Sequence, residues 1–260
     1  MDINVTLHML LIICPLTFLA GFIDSIAGGG GLISLPSYLF IGLPAHAALG
    51  TNKFSSSVGT LVAALRYAKN KRIHYRSALT AAASALPGSF AGAQLALALD
   101  EKFLKIFLVA ALPAIAIFVL TRPKFGGEDR SSRLSAGRIA VLSLASGFLI
   151  GMYDGFFGPG TGTFLVLVFT GILGFDITTA SGNTKVVNLA SNIAALAAFV
   201  SGGTVVFAVG IPAALSGVIG NWLGSGLAVK NGERVIRPVF FIALLLLFGK
   251  IVWELIDTYL

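Results

Sequence analysis

Charge is what this 260-residue chain has least of: 11% of its residues are Asp, Glu, Lys or Arg, against roughly 25% in an ordinary soluble domain. Hydrophobic residues make up 56%, and the mean hydropathy is +0.92. Its 18 basic and 11 acidic side chains are too few to cover the surface of a 27 kDa protein, so lipid must cover most of the rest. A soluble globule is excluded. Cysteine is nearly missing as well: Cys14 stands alone inside the first apolar segment, which leaves no disulfide framework and no zinc cluster. No HExxH or EF-hand pattern occurs, and the glycine run from Gly28 to Gly31 lacks the Lys-Ser/Thr ending of a phosphate loop. Neither an enzyme nor a bound metal or cofactor is expected. The first 20 residues contain no Lys or Arg and no small-x-small cleavage site, so they read as a transmembrane helix and not as a secretory signal.

What the chain does have is long uncharged runs: Ile3 to Ile23, Ser25 to Asn52, Ser77 to Leu99, Gly155 to Phe175, and 44 residues from Val186 to Val229. A helical span takes about 20 residues, so the last run alone holds two. The runs are rich in Ala, Leu, Gly and Phe and lack the ten-residue alternation of an outer-membrane barrel. The expected fold is an all-α integral membrane protein. The net charge of +7 is no argument for nucleic acid, because membrane proteins collect basic residues in their cytoplasmic loops.

The sequence repeats itself at an offset of about 130 residues. Gly21, Asp24, Gly28 and Gly30 fall on Gly151, Asp154, Gly158 and Gly160; Asn52 falls on Asn183, and Ala63-Ala64-Leu65 on Ala194-Ala195-Leu196. Two membrane repeats are inferred, 1–122 and 138–260, joined by a basic cytoplasmic linker at 123–137. Each reads as five apolar segments: 4–26, 31–43, 45–66, 77–98 and 104–121, then 138–157, 161–174, 178–200, 205–227 and 236–256. The second segment of each half is short and follows a glycine-rich break. At 1.5 Å per residue it reaches only about 20 Å, so it is either a broken half-helix or a strongly tilted span. If the short segments cross, the halves are inverted; if they are re-entrant, the halves are parallel. Lys and Arg counts favour inversion with both termini outside. Arg66 to Arg76, Arg122 to Arg138 and Lys230 to Arg237 then lie inside, against Lys102 and Lys105 outside.

In transporters built from inverted repeats, matched Gly- or Pro-interrupted segments mark the substrate site near the midplane. Here Gly28, Gly29, Gly30 and Gly31 match Gly158, Gly160 and Thr161 in register. Such breaks turn backbone amides and the positive end of a half-helix toward an anion; the plainer alternative is that the glycines only let helices pack closely. Lys53 and Lys185 lie deep in apolar segments, where a charge costs about 2.5 to 3.5 kcal/mol and usually faces a cavity. Thr51 and Asn52 flank the first, and Asn183 and Thr184 the second, which makes a donor-rich lining suited to an oxyanion. The matched acids Asp24 and Asp154 are expected to pair with these lysines; a coupling proton, or a grip on the free amides of the broken helix, are the alternatives. Asn192, Gln94 and Asn221 read as bonds between helices. His46 reads as a helix-end histidine, and His8 and His74 as interfacial. The patterns Gly88-Ser-Phe-Ala-Gly92 and Gly220-Asn-Trp-Leu-Gly224 suit internal packing or a homodimer face equally.

The stretch Gly21-Phe-Ile-Asp-Ser-Ile-Ala-Gly-Gly-Gly-Gly-Leu-Ile-Ser-Leu-Pro36, with Gly42-Leu-Pro and Ala48-Leu-Gly-Thr-Asn-Lys53, closely resembles the TauE/SafE family of sulfite exporters and sulfonate permeases. The resemblance continues through Arg66-Tyr, Ile73-His-Tyr-Arg76, Gly151-Met-Tyr-Asp-Gly-Phe-Phe-Gly-Pro-Gly-Thr161 and Ser181-Gly-Asn-Thr-Lys185. It implies a secondary transporter moving sulfite, sulfoacetate or other sulfonates across the bacterial inner membrane. With no ATP-binding motif, the driving force is the substrate's own gradient or one of protons or sodium. A passive anion channel of the same architecture is the alternative; its flux would not saturate.

Overall fold

The computed structural model describes residues 5–104, 106, 129–232, 234–235 and 238. Every regular element among them is helical: α1 (Leu7–Ala27), α2 (Gly31–Phe40), α3 (Ala45–Lys69), α4 (Tyr75–Ala98), a 3-10 turn (Ser131–Arg133), α5 (Ala136–Phe156), α6 (Thr161–Leu167), which runs on as a π-helical turn (Val168–Ile172), α7 (Ile177–Ser201) and α8 (Phe207–Asn231). The fifth segment expected in each half lies outside the described residues apart from Leu104, Ile106 and Pro238, and so do Arg122 and, in the linker, Lys124.

Boundaries follow local chemistry. Thr6, Ser135 and Asp176 cap α1, α5 and α7 by accepting from backbone amides two or three residues on, a satisfaction of amides that the helix itself leaves open. His74 does the same for α4 through Nδ1. Helices α1, α5, α7 and α8 are long and apolar enough to cross a membrane. Helices α3 and α4 match them in length, at 25 and 24 residues, but α3 carries Thr51, Asn52, Lys53 and Ser55 to Ser57 in its first half. Its place explains this. It packs against α7 and α8, while α7 packs against α3 and α4, so α3 and α7 form the middle of the bundle.

The partners α1 with α8 and α4 with α5 flank that middle. Glycine sets their spacing. A Cβ on Gly88 or Gly92 of α4 would overlap backbone atoms of Phe148 and Met152, and one on Gly220 or Gly224 of α8 those of Phe18 and Phe22. Both small-residue patterns are therefore consumed inside the chain, as close backbone approach in lipid requires. Burial runs opposite to that of a soluble domain. Leu11, Leu149 and Leu215 are 66%, 65% and 64% exposed, while Lys53 and Lys185 are 2% and 1% exposed. Apolar side chains on the rim and charges in the middle are stable only if hydrocarbon surrounds the bundle.

Short α2 and α6 are the exception to the long-helix pattern. At ten residues, α2 is about 15 Å long, half the hydrocarbon thickness. The chain turns into each short helix through glycines with positive φ, Gly28 (78°) and Gly29 (93°) before α2, Gly158 (95°) and Gly160 (85°) before α6. An L-residue with a side chain is strained there.

Candidate functional site

The two glycine breaks meet. A Cβ on Gly28 would strike the backbone of Gly162 and Thr163, and Gly31 faces Pro159. The beginnings of α2 and α6 thus abut at the centre of the molecule, between the ends of α1 and α5. Beside them lies a cavity of about 50 Å³, space for about four waters. Its wall takes Asp24 and Thr17 from α1, Gly29 to Gly31 and Ser34 from the first break and α2, and Asn52, Lys53 and Thr60 from α3. The other half contributes Asp154, Gly158, Gly160, Thr161, Gly162, Asn188 and Asn192, with Gly217 and Asn221 from α8.

Both buried lysines are paired, and each with the acid of the other half. Lys53 Nζ lies 2.8 Å from Asp154 Oδ2, and Lys185 Nζ 2.7 Å from Asp24 Oδ2. Lys53 also donates to Asn192 Oδ1 at 3.1 Å. Lys185 also donates to the main-chain oxygen of Asp24. Asp24 does a second job: its Oδ1 accepts from Gly30 N–H at 3.2 Å, so one carboxylate both holds the lysine and fixes the start of α2. Asp154 Oδ2 accepts from Ser191 Oγ at 2.6 Å. The four charges sum to zero. An uncompensated charge at this depth would be expensive.

Of the fifteen residues expected to bind substrate or to pair with the lysines, ten reach this cavity and five do not. Gly28 packs backbone against backbone on Gly162. Thr51 Oγ1 accepts from Val206 N–H at 3.0 Å at the start of α8. Asn183 Oδ1 accepts from His74 N–H at 2.8 Å, tying α7 to the start of α4, and the hydroxyl of Thr184, fully buried, has no hydrogen-bond partner among the described residues. Lys185 sits behind Asp24, off the cavity wall. Asn192, read as a bond between helices, reaches Lys53. Asn221 donates to Gly217 O within its own helix at 2.9 Å and leaves its amide oxygen unpaired on the wall, where it offers an acceptor to a water or a hydroxyl-bearing ligand.

Thr17, Ser34, Thr60 and Ser191 went unmarked. Ser34 Oγ donates to Asn52 Oδ1 at 2.6 Å and so orients that amide. Single hydroxyls in apolar helices carry no distinctive spacing, since Ser and Thr commonly bond back to their own helix; Thr17 does this too, to Ile13 O at 2.8 Å.

The family profile described as "Sulfite exporter TauE/SafE" matches residues 13–251. The chain belongs to this family. A probable membrane transporter protein of Haemophilus influenzae is 37% identical over 254 residues, 98% of either chain. One from a Sinorhizobium species, named ORF9, is 37% identical over 92% of this chain and 90% of its own. The Escherichia coli K12 protein YfcA, also named a probable membrane transporter, is 34% identical over 91% of this chain and 87% of its own. No solved structure gives a significant match. Membership makes the chain a membrane transporter and not an enzyme.

Proposed function

We propose that this TauE/SafE chain is a secondary transporter that carries a small sulfur-containing anion, sulfite or a short sulfonate such as sulfoacetate, across the bacterial inner membrane by alternating access. The observation that carries the reading is Lys53: a buried ammonium on the wall of a polar cavity at the meeting point of two half-helix starts. Half-helix starts offer positive potential to an anion. The sulfur class rests on the family's description alone.

Alternating access needs two halves that can trade places. The packing supports this, because every major helix pair has a counterpart under exchange of the halves: α1 on α8 answers α5 on α4, α3 on α8 answers α7 on α4, and α3 meets α7. On this reading the repeats 1–122 and 138–260 are inverted, the chain is multi-pass with both termini outside, and 123–137 is cytoplasmic. The substrate needs no partner beyond the bilayer, and protons or sodium are the candidate coupling ions.

The test is a stability screen of the detergent-solubilised protein against sulfite, thiosulfate, sulfate and small sulfonates, with chloride and carboxylates as controls. Ligand at ten times its Kd adds about 1.4 kcal/mol to the apparent stability. Stabilisation by a sulfur oxyanion, lost in Lys53→Ala, is the expected result. Stabilisation by none of them removes the sulfur assignment. In proteoliposomes the flux should saturate; flux that rises without limit would mean a channel instead.

A further inference from the structure

We infer that Asp154 is the proton-binding group of the transport cycle: an anion takes Lys53 from it as the carboxylate accepts a proton, so that one proton and one monovalent anion occupy the cavity together. This rests on the reading of the cavity as an anion site.

Of the four paired charges, Lys53, Asp24 and Asp154 lie on the cavity wall and Lys185 lies behind Asp24. Their sum is zero, so a bare anion arriving there adds one uncompensated negative charge to a cavity with room for only about four waters. Such a charge is strongly disfavoured. Among the described residues the one cation on the cavity wall is Lys53, and its partner Asp154 is 2% exposed, so displacing it while ionised would leave a carboxylate in the interior without its counter-charge. A proton on Asp154 Oδ2 removes that obstacle: the ion pair with Lys53 becomes an ammonium free to face the anion, and the total charge with the anion bound is zero again.

Local geometry suits the protonated form. Ser191 Oγ lies 2.6 Å from Asp154 Oδ2 and 3.1 Å from Asn188 O, and a hydroxyl has one hydrogen to give. With Asp154 ionised, that hydrogen points to the carboxylate. With Asp154 protonated, the acid donates to Ser191 Oγ and the hydroxyl turns its hydrogen to Asn188 O. Neither state leaves a polar group stranded. Lys53 likewise keeps Asn192 Oδ1 as an acceptor when Asp154 leaves it. Asp24 has no such freedom, since Lys185 and Gly30 N–H hold its two oxygens.

Few other groups compete for the proton. Asp154 pairs with Lys53 of α3; Asp24 at the end of α1 shares the cavity wall with it, and Lys185 of α7 is bound to Asp24; on its own helix Tyr153 gives its hydroxyl hydrogen to Pro159 O. Helix α4, packed along α5, carries only Tyr75 and Arg76 at its start, and α6 carries no titratable side chain.

The experiment counts protons. Calorimetric titration of the full chain in detergent, in two buffers of different ionisation enthalpy, uses sulfate, thiosulfate and methanesulfonate, anions that do not titrate between about pH 5 and 8. The expected uptake is close to one proton per methanesulfonate, with an affinity that falls tenfold per pH unit wherever the free carboxylate is ionised. In Asp154→Asn, which mimics the neutral acid, binding persists, takes up no proton and is flat with pH; in Asp24→Asn any binding that remains still takes up the proton. Binding without proton uptake by the unaltered protein overturns the inference and leaves the anion site standing, and this arm needs no variant to fold. Uptake that persists in Asp154→Asn overturns the assignment to that residue. If none of the three anions binds, the anion site and the inference fall together.

Discussion

Lys53 and Lys185 are both buried and both paired with an aspartate, yet the cavity touches only Lys53. Their substitutions should therefore separate. Removing one member of a buried pair leaves the other charge uncompensated, at a cost of about 3–5 kcal/mol. Lys185→Met is expected to lower stability by about that much, and adding Asp24→Asn to restore most of it, as read by thermal unfolding in detergent. Failure of the double variant to recover would mean that Lys185 holds the fold through its bond to the Asp24 main-chain oxygen instead. The matching double variant Lys53→Met with Asp154→Asn should unfold close to the unaltered protein but bind no anion in the same screen. Stable folding with intact binding would remove Lys53 from the site.

At the scale of helices, glycine decides which surfaces meet. Gly155 of α5 sits so close to Ser89 of α4, and Gly220 of α8 to Phe18 of α1, that an added methyl overlaps backbone oxygen. Gly155→Ala and Gly220→Ala should each cost about 1–3 kcal/mol by forcing backbone shifts. Gly137→Ala, in the first turn of α5 with nothing nearby, should be neutral or stabilising by up to about 1 kcal/mol. Equal effects at the three positions, in thermal melts, would mean that close packing is not what these glycines serve. Helix positions were readable beforehand because a bilayer forces long apolar runs with few charges: the expected 45–66 and 161–174 became Ala45–Lys69 and Thr161–Ile172. Helix α3 extends past the apolar run because Tyr67, Ala68 and Lys69 continue the helix beyond Arg66. Which lysine meets which aspartate was not readable. The repeat aligns Asp24 with Asp154 but is silent on the crossing of α1 with α7 or α5 with α3, a matter of tertiary packing. Nor did sequence distinguish Thr51, which clips α8, from Asn52 one residue on, which faces the cavity; a helix rotates 100° between them.

For the whole molecule, and on the proposed division into two repeats, the crossed ion pairs leave each repeat without the partners of its charges. Residues 1–122 alone hold Lys53 and Asp24 without their partners, and 138–260 alone hold Lys185 and Asp154 likewise. Each half made separately should be degraded in the membrane, while both made together from two genes should assemble and bind anion, with the cut in the basic linker. Stable accumulation of either half alone, followed by immunoblot, would show that its charges find other partners. The same crossing sets an order in time. As the ribosome delivers the chain, Asp24 and Lys53 enter the bilayer about 100 residues before Asp154 and more than 130 before Lys185, which at roughly 5–20 residues per second is a wait of several seconds or more. During that interval the first half holds a carboxylate and an ammonium with no settled partner, each opposed by lipid at about 2.5 to 3.5 kcal/mol. Whatever shelters nascent helices beside the insertion machinery has to hold this one until its complement is made.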